Sequence, residues 1–117
     1  MKALSIVAPS GTKIATGLKT LEIRRWEPSL RADEDLLIVE NTRFLHRDGE
    51  EDRDGKAVVI VRVGNVRPFV PADVDAACAS YFEEGWLAWE LTDVRQVSHT
   101  KPVLAARGIY DVHLDQH

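Results

Sequence analysis

The sequence has a single cysteine and no long apolar run. Cys78 is the only cysteine among 117 residues, which excludes an intramolecular disulfide and a thiol-rich metal cage. No stretch approaches the ~20 apolar residues that a membrane-spanning helix needs. The opening "MKALSIVAP" also lacks the long apolar core of a signal peptide. We therefore expect a cytoplasmic domain that makes no contact with a membrane.

The sequence also lacks an excess of positive charge. Its 15 Lys and Arg residues against 19 Asp and Glu residues give a formal net charge of −4. This balance argues against a protein that coats nucleic acid by charge alone, although a small basic cleft remains compatible with it. The four histidines are scattered along the chain, so we predict no metal site and no cofactor. They are His46, His99, His113 and His117.

The length and pattern of the chain predict one mainly β domain, of α+β composition, over residues 1–117. Five or six segments have the apolar pattern of strands, beginning with "ALSIV" and ending with "GIYDVHL". Two short helices are expected to flank them. The first is "SGTKIAT", capped by Ser10, and the second is "PADVDAACASYFEEG", ended by Gly85 with Cys78 on its apolar face. A small curved sheet or partly closed barrel accommodates these elements.

Period-two alternation predicts which side chains form the core of this sheet. Apolar positions of the same parity should be buried together, because one face of each strand packs inward. Gly64, inside the long strand "KAVVIVRVGNVRPF", is expected to mark a bulge. The predicted core consists of Leu4, Ile6, Leu21, Ile23, Leu37, Val39, Val59, Val61 and Val63.

One stretch carries more charge than a half-buried strand requires. "GLKTLEIRRW", residues 17–26, places one carboxylate, three cations and a Trp within eight residues. Alternation puts Leu21 and Ile23 on one face, and Glu22 with Arg24 on the other. These charges either decorate a solvated strand face or form the wall of a site, and the residues alone leave both interpretations open.

The segment "LSIVAPSGTKIATGLKTLEIRRW" resembles the opening of the ASCH domain family, within the PUA-like superfamily. The family pattern Gly-x-Lys-x-x-Glu-x-Arg is matched by Gly17, Lys19, Glu22 and Arg24. The segments "LAWELTDVRQV" and "ARGIYDV" are similar to the last two strands of the family. The resemblance implies a small PUA-like β-barrel with flanking helices beside a cleft lined by the motif. It also implies binding of RNA, a nucleoside or a nucleotide.

The chemistry of these residues suits such a ligand. The ammonium of Lys19 can pair with a phosphate, and the planar guanidinium of Arg24 can donate two hydrogen bonds to a phosphate or to a base edge. An ion pair between Glu22 and Arg24 would orient the guanidinium, and Trp26 could stack a base. The predicted ligand-binding set is Lys19, Glu22, Arg24, Arg25, Trp26, Asn41 and Thr42.

An enzyme using the same cleft is the alternative, with Lys19 and Glu22 as catalytic candidates. The resemblance extends to an amidohydrolase acting on acetylated cytidine and to ribonucleases. In the amidohydrolase branch a Thr nucleophile stands three residues after the motif Lys, where this sequence has Glu22. A carboxylate does not replace an activated hydroxyl, so we expect weak or no hydrolysis by that mechanism.

A protein-interaction module anchored by exposed tryptophans is the third hypothesis. Trp26 and Trp86 would be its anchors. Trp86 and Trp89 are three residues apart on a predicted strand and therefore face opposite sides. We expect one of the two rings in the core and the other at the border of the cleft.

Overall fold

Short apolar strands joined by polar turns dominate the structure. It is a computed structural model that describes residues 1–113, except for the side chains of residues 98–100. His117 and the imidazole of His99 therefore lie outside the described residues. In the described part the strands are β1 (Lys2–Val7), β2 (Leu21–Arg24), β3 (Leu36–Asn41), β4 (Glu51–Asp52), β5 (Lys56–Pro68), β6 (Leu87–Pro102), β7 (Ala105–Ala106) and β8 (Ile109–Asp111). The helices are α1 (Ser10–Ala15) and α2 (Val74–Ala77), the latter preceded by a 3₁₀ turn (Pro71–Asp73).

Six strands form one sheet in the order β2-β6-β5-β3-β1-β8, and β4 pairs with β7 separately. Only β1 and β3 are parallel among the pairs described. The mainly β architecture with two short helices agrees with the prediction. The described sheet has two edges, β2 and β8, so closure into a barrel stays a prediction. The structure has two strands more than the six expected. They are β4 and β7, which are only two residues long and therefore have no recognisable sequence pattern.

The predicted bulge at Gly64 is confirmed, because the register between β5 and β6 shifts between Val63 and Val66. The first strand also ends before Pro9, as expected. The N-terminus of α1 differs from the prediction that Ser10 caps it. Pro9 is the N-cap residue, and its side chain forms no capping hydrogen bond. Instead the backbone N–H of Thr12 donates to Glu40 Oε2 on β3 at 2.8 Å. A carboxylate from a neighbouring strand thus satisfies one of the open donors of the first turn.

The prediction of one core is wrong, because the buried side chains form three clusters. β3 is buried on both faces, as a continuous apolar run allows. Leu36 and Ile38 lie in the main cluster with Leu4, Ile6, Ile14, Val59, Val61, Val63, Trp89 and Leu91. Leu37 and Val39 lie in a second cluster with Ala3, Ala57, Val103 and Ala105. Leu21 belongs to a third cluster with Phe69, Ala77 and Ala88, against which Ile23 packs.

This division reverses the expected faces of β2. Glu22 pairs across the sheet with Trp89, a member of the main cluster, so its side chain lies on the inner face. Ile23 pairs with Ala88, and both lie on the outer face, in the third cluster with α2. Glu22, and Arg24 two residues further along the strand, therefore lie on the inner face of the sheet.

The second helix is much shorter than predicted. α2 ends at Ala77, because Cys78 adopts the left-handed conformation at φ 52° and cannot continue a right-handed helix. Cys78 is half-buried at this cap, and its Sγ lies 3.6 Å from the carbonyl oxygen of Leu18. Tyr81, which lies inside the predicted helical segment, follows α2 in a bend and is 67% exposed.

Candidate functional site

A cleft of about 500 Å³ opens where β1 separates from β8. β8 pairs with β1 only from Lys2 to Leu4, and beyond this point Ser5 lies in the cleft wall. The lining comes from residues 5–8 and Ser10, from residues 22–24 of β2, and from Asn41 with residues 43–45 after β3. Trp86 and residues 106–108 complete it. Its volume is within the range of small-ligand sites.

Arg24 spans the opening between β2 and β1. Its Nε and Nη2 both lie 2.8 Å from Glu22 Oε2, and Nη2 also donates to the carbonyl oxygen of Ser5 at 3.3 Å. Among the described residues its Nη1 has no hydrogen-bond partner. The predicted ion pair between Glu22 and Arg24 is thus present, and it holds an oriented guanidinium in the cleft wall.

Lys19 is buried and does not line the cleft. Its Nζ donates to the carbonyl oxygen of Ala77 at 2.7 Å and lies 3.2 Å from Glu22 Oε1. The side chains of Lys19 and Glu22 are only 7% and 8% exposed. The expected role of Lys19 as a mobile phosphate contact does not fit this placement. It neutralises the buried carboxylate and ties β2 to the end of α2.

The tryptophans divide between the core and the cleft. Trp89 is fully buried and its Nε1 donates to the carbonyl oxygen of Trp26 at 3.2 Å. Trp86 is half-buried and lines the cleft. Trp26 packs edge-on against Trp89, with ring centroids 5.0 Å apart, and stays outside the cleft lining. Arg25 also lies outside it, with its guanidinium carbon 4.8 Å from the centre of the Trp86 ring.

The two polar candidates after β3 also separate. Asn41 is buried in the cleft wall, and its Nδ2 donates to the carbonyl oxygen of Arg43 at 2.6 Å. Its amide therefore fixes the start of the following loop. Thr42 is exposed and outside the lining.

The sequence reasoning missed the basic and aromatic side chains of two lining loops: Arg43, Phe44 and Arg107. Arg43 Nη1 lies 2.6 Å from Glu50 Oε2, and Arg107 Nη1 donates to the carbonyl oxygen of His46 at 2.7 Å. The backbone N–H of His46, followed by the Arg43 guanidinium, lowers the pKa of the Glu50 carboxyl. These residues come from loops without a motif. A basic residue beside an aromatic in "TRF" was the one available signal.

The cleft lining therefore holds three guanidinium groups, and each has a carboxylate partner: Glu22 for Arg24, Glu50 for Arg43 and Asp48 for Arg107. The remaining N–H donors of these groups suit an anionic group of a ligand, while Trp86 and Phe44 supply aromatic surface. Among the side chains that the structure describes, three or more of His, Cys, Asp or Glu do not come together as a metal site would require. Over the same residues, no helix has the length and apolarity to cross a membrane.

Comparison with known proteins identifies one family. The model of the ASCH domain matches residues 4–101. The crystal structure of ASCH from Zymomonas mobilis superposes with a TM-score of 0.59 at 17% identity, covering 87% of this chain and 69% of the other. A serine-to-alanine variant of that protein gives 0.54 at 16%, covering 87% and 70%. A tyrosine-to-phenylalanine variant gives 0.55 at 15%, covering 87% and 71%. No curated protein matches the sequence. At these identities the structures share the fold alone.

Proposed function

The chain belongs to the ASCH domain family, a PUA-like family, and from this premise we propose that its cleft binds RNA or a nucleotide-derived ligand. ASCH domains are associated with RNA binding. The overall charge is negative, so affinity comes from a few local contacts and not from a broad positive field.

The observation that carries the proposal is the guanidinium of Arg24. It is held by the carboxylate of Glu22 and the carbonyl oxygen of Ser5 before any ligand arrives. A cation fixed in this way loses little conformational entropy on binding, and its Nη1 donors suit a phosphate oxygen or the acceptor edge of a base. Arg43 and Arg107 add two further positive groups to the same lining.

Trp86 supports a base within the cleft. Its ring is part of the lining, and the guanidinium of Arg25, which lies outside the lining, packs over it. Stacking on an aromatic ring contributes about 1–3 kcal/mol per base and depends little on which base is stacked. The proposal therefore places the sugar-phosphate near the arginines and the base near Trp86.

A thermal-shift screen with nucleosides, nucleotides and short RNAs tests the proposal. A ligand that binds only the native state adds about 2.7 kcal/mol to the free energy of unfolding at a hundredfold excess over Kd. We expect the shift to disappear in Arg24→Gln and to persist in Arg31→Gln. Arg31 is a matched control, because its side chain is 80% exposed and outside the cleft. Absence of a shift with every ligand would contradict the proposal.

Amide hydrolysis by a Lys–Thr arrangement is not proposed. Glu22 stands at the nucleophile position, and the Nζ of Lys19 already has two oxygen partners. An amine buried between a carboxylate and a carbonyl oxygen is not placed to activate a hydroxyl in the cleft. We expect the purified protein to turn over acetylated cytidine weakly or not at all. Robust turnover that is lost in Lys19→Ala would overturn this expectation.

A further inference from the structure

Phe44 stands at the mouth of the cleft with its ring in solvent. It is 70% exposed, the highest value among the exposed large apolar side chains of the described residues. Single exposed apolar residues are common, so exposure by itself does not indicate a site. The position of Phe44 in the cleft lining, between Arg43 and Leu45, is the feature that needs an explanation.

The loop that carries Phe44 is anchored on both sides of the ring. Leu45 packs against the second cluster, which leaves its neighbour Phe44 directed outward. Glu50 Oε1 accepts the backbone N–H of His46 at 2.9 Å, and its Oε2 lies 2.6 Å from Arg43 Nη1. Arg107 holds the same loop through the carbonyl oxygen of His46. The ring is therefore presented by a fixed backbone, which lowers the entropy lost when a ligand packs on it.

Two cations accompany the ring. Arg43 and Arg107 line the same cleft, and their side chains are 50% and 49% exposed. Arg43 is oriented by Glu50 and by the carbonyl oxygen of Glu51, to which its Nη2 donates at 3.0 Å. Arg107 is oriented by the carbonyl oxygen of His46 and by Asp48, whose Oδ1 lies 3.6 Å from Nη1. A guanidinium has five N–H donors, so each arginine keeps donors beyond these contacts. An exposed aromatic ring beside two exposed guanidinium groups is the combination that proteins use to hold the bases and backbone of single-stranded nucleic acid.

We propose that Phe44 stacks the base that follows the nucleotide held in the cleft, so that the ligand is a single-stranded polynucleotide. This inference rests on the proposed function and names its ligand class. Arg43 and Arg107 contact the phosphates on the two sides of the base that Phe44 stacks. A free mononucleotide has a single base, which stacks on Trp86 and leaves Phe44 without a base to stack. An RNA duplex keeps its bases stacked internally and offers none to the ring.

Paired measurements on one set of variants test the inference. The probes are the four ribonucleoside 5′-monophosphates, followed by calorimetry, and single-stranded hexaribonucleotides labelled with fluorescein, followed by anisotropy. In Phe44→Ala we expect hexanucleotide affinity to fall about 5- to 150-fold, the equivalent of one stacked base, and mononucleotide affinity to change less than twofold. Phe44→Trp should keep the hexanucleotide affinity of the wild type, because a base stacks on any aromatic ring.

Tyr81→Ala is the matched control. Tyr81 is an equally exposed aromatic residue, 67% exposed, outside the cleft lining, and its loss leaves both affinities unchanged. An equal loss of both affinities in Phe44→Ala would mean that Phe44 contacts the nucleotide inside the cleft. No loss of either affinity would mean that Phe44 contacts neither ligand. Either result overturns the inference while the proposed function stands. If the wild type binds neither probe at low salt, both the inference and the proposed function are overturned. A protein partner would then be the remaining hypothesis for the exposed ring.

Discussion

Glu22 Oε2 lies 2.8 Å from both Nε and Nη2 of Arg24, at the point where β2 faces the open end of β1. The other carboxylate oxygen lies 3.2 Å from the Nζ of Lys19. One buried carboxylate thus neutralises a buried ammonium and orients a guanidinium that reaches the cleft. The three charged residues of the motif form one unit, in which Lys19 and Glu22 support Arg24.

Removal of the central carboxylate is expected to destabilise the fold. In Glu22→Ala the ammonium of Lys19 stays buried without its counter-charge, so the free energy of unfolding should fall by about 3–5 kcal/mol. Urea denaturation measures this change. The exposed Glu27 is the control, and Glu27→Ala should change stability by less than about 0.5 kcal/mol.

A paired substitution separates the buried charge from the loss of packing. Combining Lys19→Met with Glu22→Leu removes both charges and should recover most of the stability, because apolar side chains of similar volume replace a buried ion pair at little cost. A double variant no more stable than Glu22→Ala would show that the ion pair itself stabilises the fold.

Trp86 and Trp26 are expected to have different roles. Trp86→Ala should weaken mononucleotide binding by about 1–3 kcal/mol, because its ring lines the cleft. Trp26→Ala should leave the affinity within twofold and lower stability, since its ring packs edge-on against the buried Trp89. Calorimetric titration with mononucleotides and urea denaturation of both variants provide the comparison. If Trp26→Ala weakened binding and Trp86→Ala did not, Trp26 would belong to the site, as the sequence predicted.

The salt dependence of RNA binding should report on the arginines. Two or three phosphates neutralised by Arg24, Arg43 and Arg107 give a slope of log K against log salt of about −1.4 to −2.1 for a single strand. Arg107→Gln should flatten this slope by ~0.7, whereas Arg107→Lys keeps the charge and the slope. Anisotropy titrations of a hexaribonucleotide at graded salt measure both. A slope that Arg107→Gln leaves unchanged would remove Arg107 from the phosphate contacts.

The part of the site that the sequence predicted depends on local geometry. Glu22 and Arg24 are two apart on one strand, and this spacing alone brings their side chains together. The burial of Lys19 depends on the carbonyl oxygen of Ala77, 58 residues away, and no local pattern contains that contact. The early end of α2 follows from the left-handed Cys78, a conformation that is rare outside glycine, so a helical pattern continuing past it misled the prediction.

The loops around the cleft could not be predicted for a different reason. Arg43, Phe44 and Arg107 meet because β4 and β7 pair with each other, and a strand of two residues has no detectable period. The single-core prediction assumed that every strand has one buried face. β3 has two, so Leu37 and Val39 belong to a different cluster from Leu36 and Ile38.

The last prediction concerns Tyr110, which fixes the wall of the cleft from behind. Its hydroxyl donates to the carbonyl oxygen of Leu104 at 2.9 Å and lies 2.8 Å from the Oγ of Ser5, a residue of the lining. Burial raises the pKa of Tyr110 above its ordinary value of about 10. The folded state then holds this proton more tightly than the unfolded chain does. The stabilisation is therefore complete below about pH 10 and is lost as the pH rises through the folded-state pKa.

Urea denaturation between about pH 8 and pH 11 and the tyrosinate absorbance should reveal this proton. The wild type should lose stability as the pH rises through the folded-state pKa of Tyr110, and Tyr110→Phe should not show this loss. Tyr110→Phe should also cost about 1 kcal/mol at neutral pH through the lost hydrogen bond. Tyr81→Phe, at an exposed ring, is the control and should retain the alkaline loss. An equal alkaline loss in the wild type and in Tyr110→Phe would show that the proton of Tyr110 is not its cause.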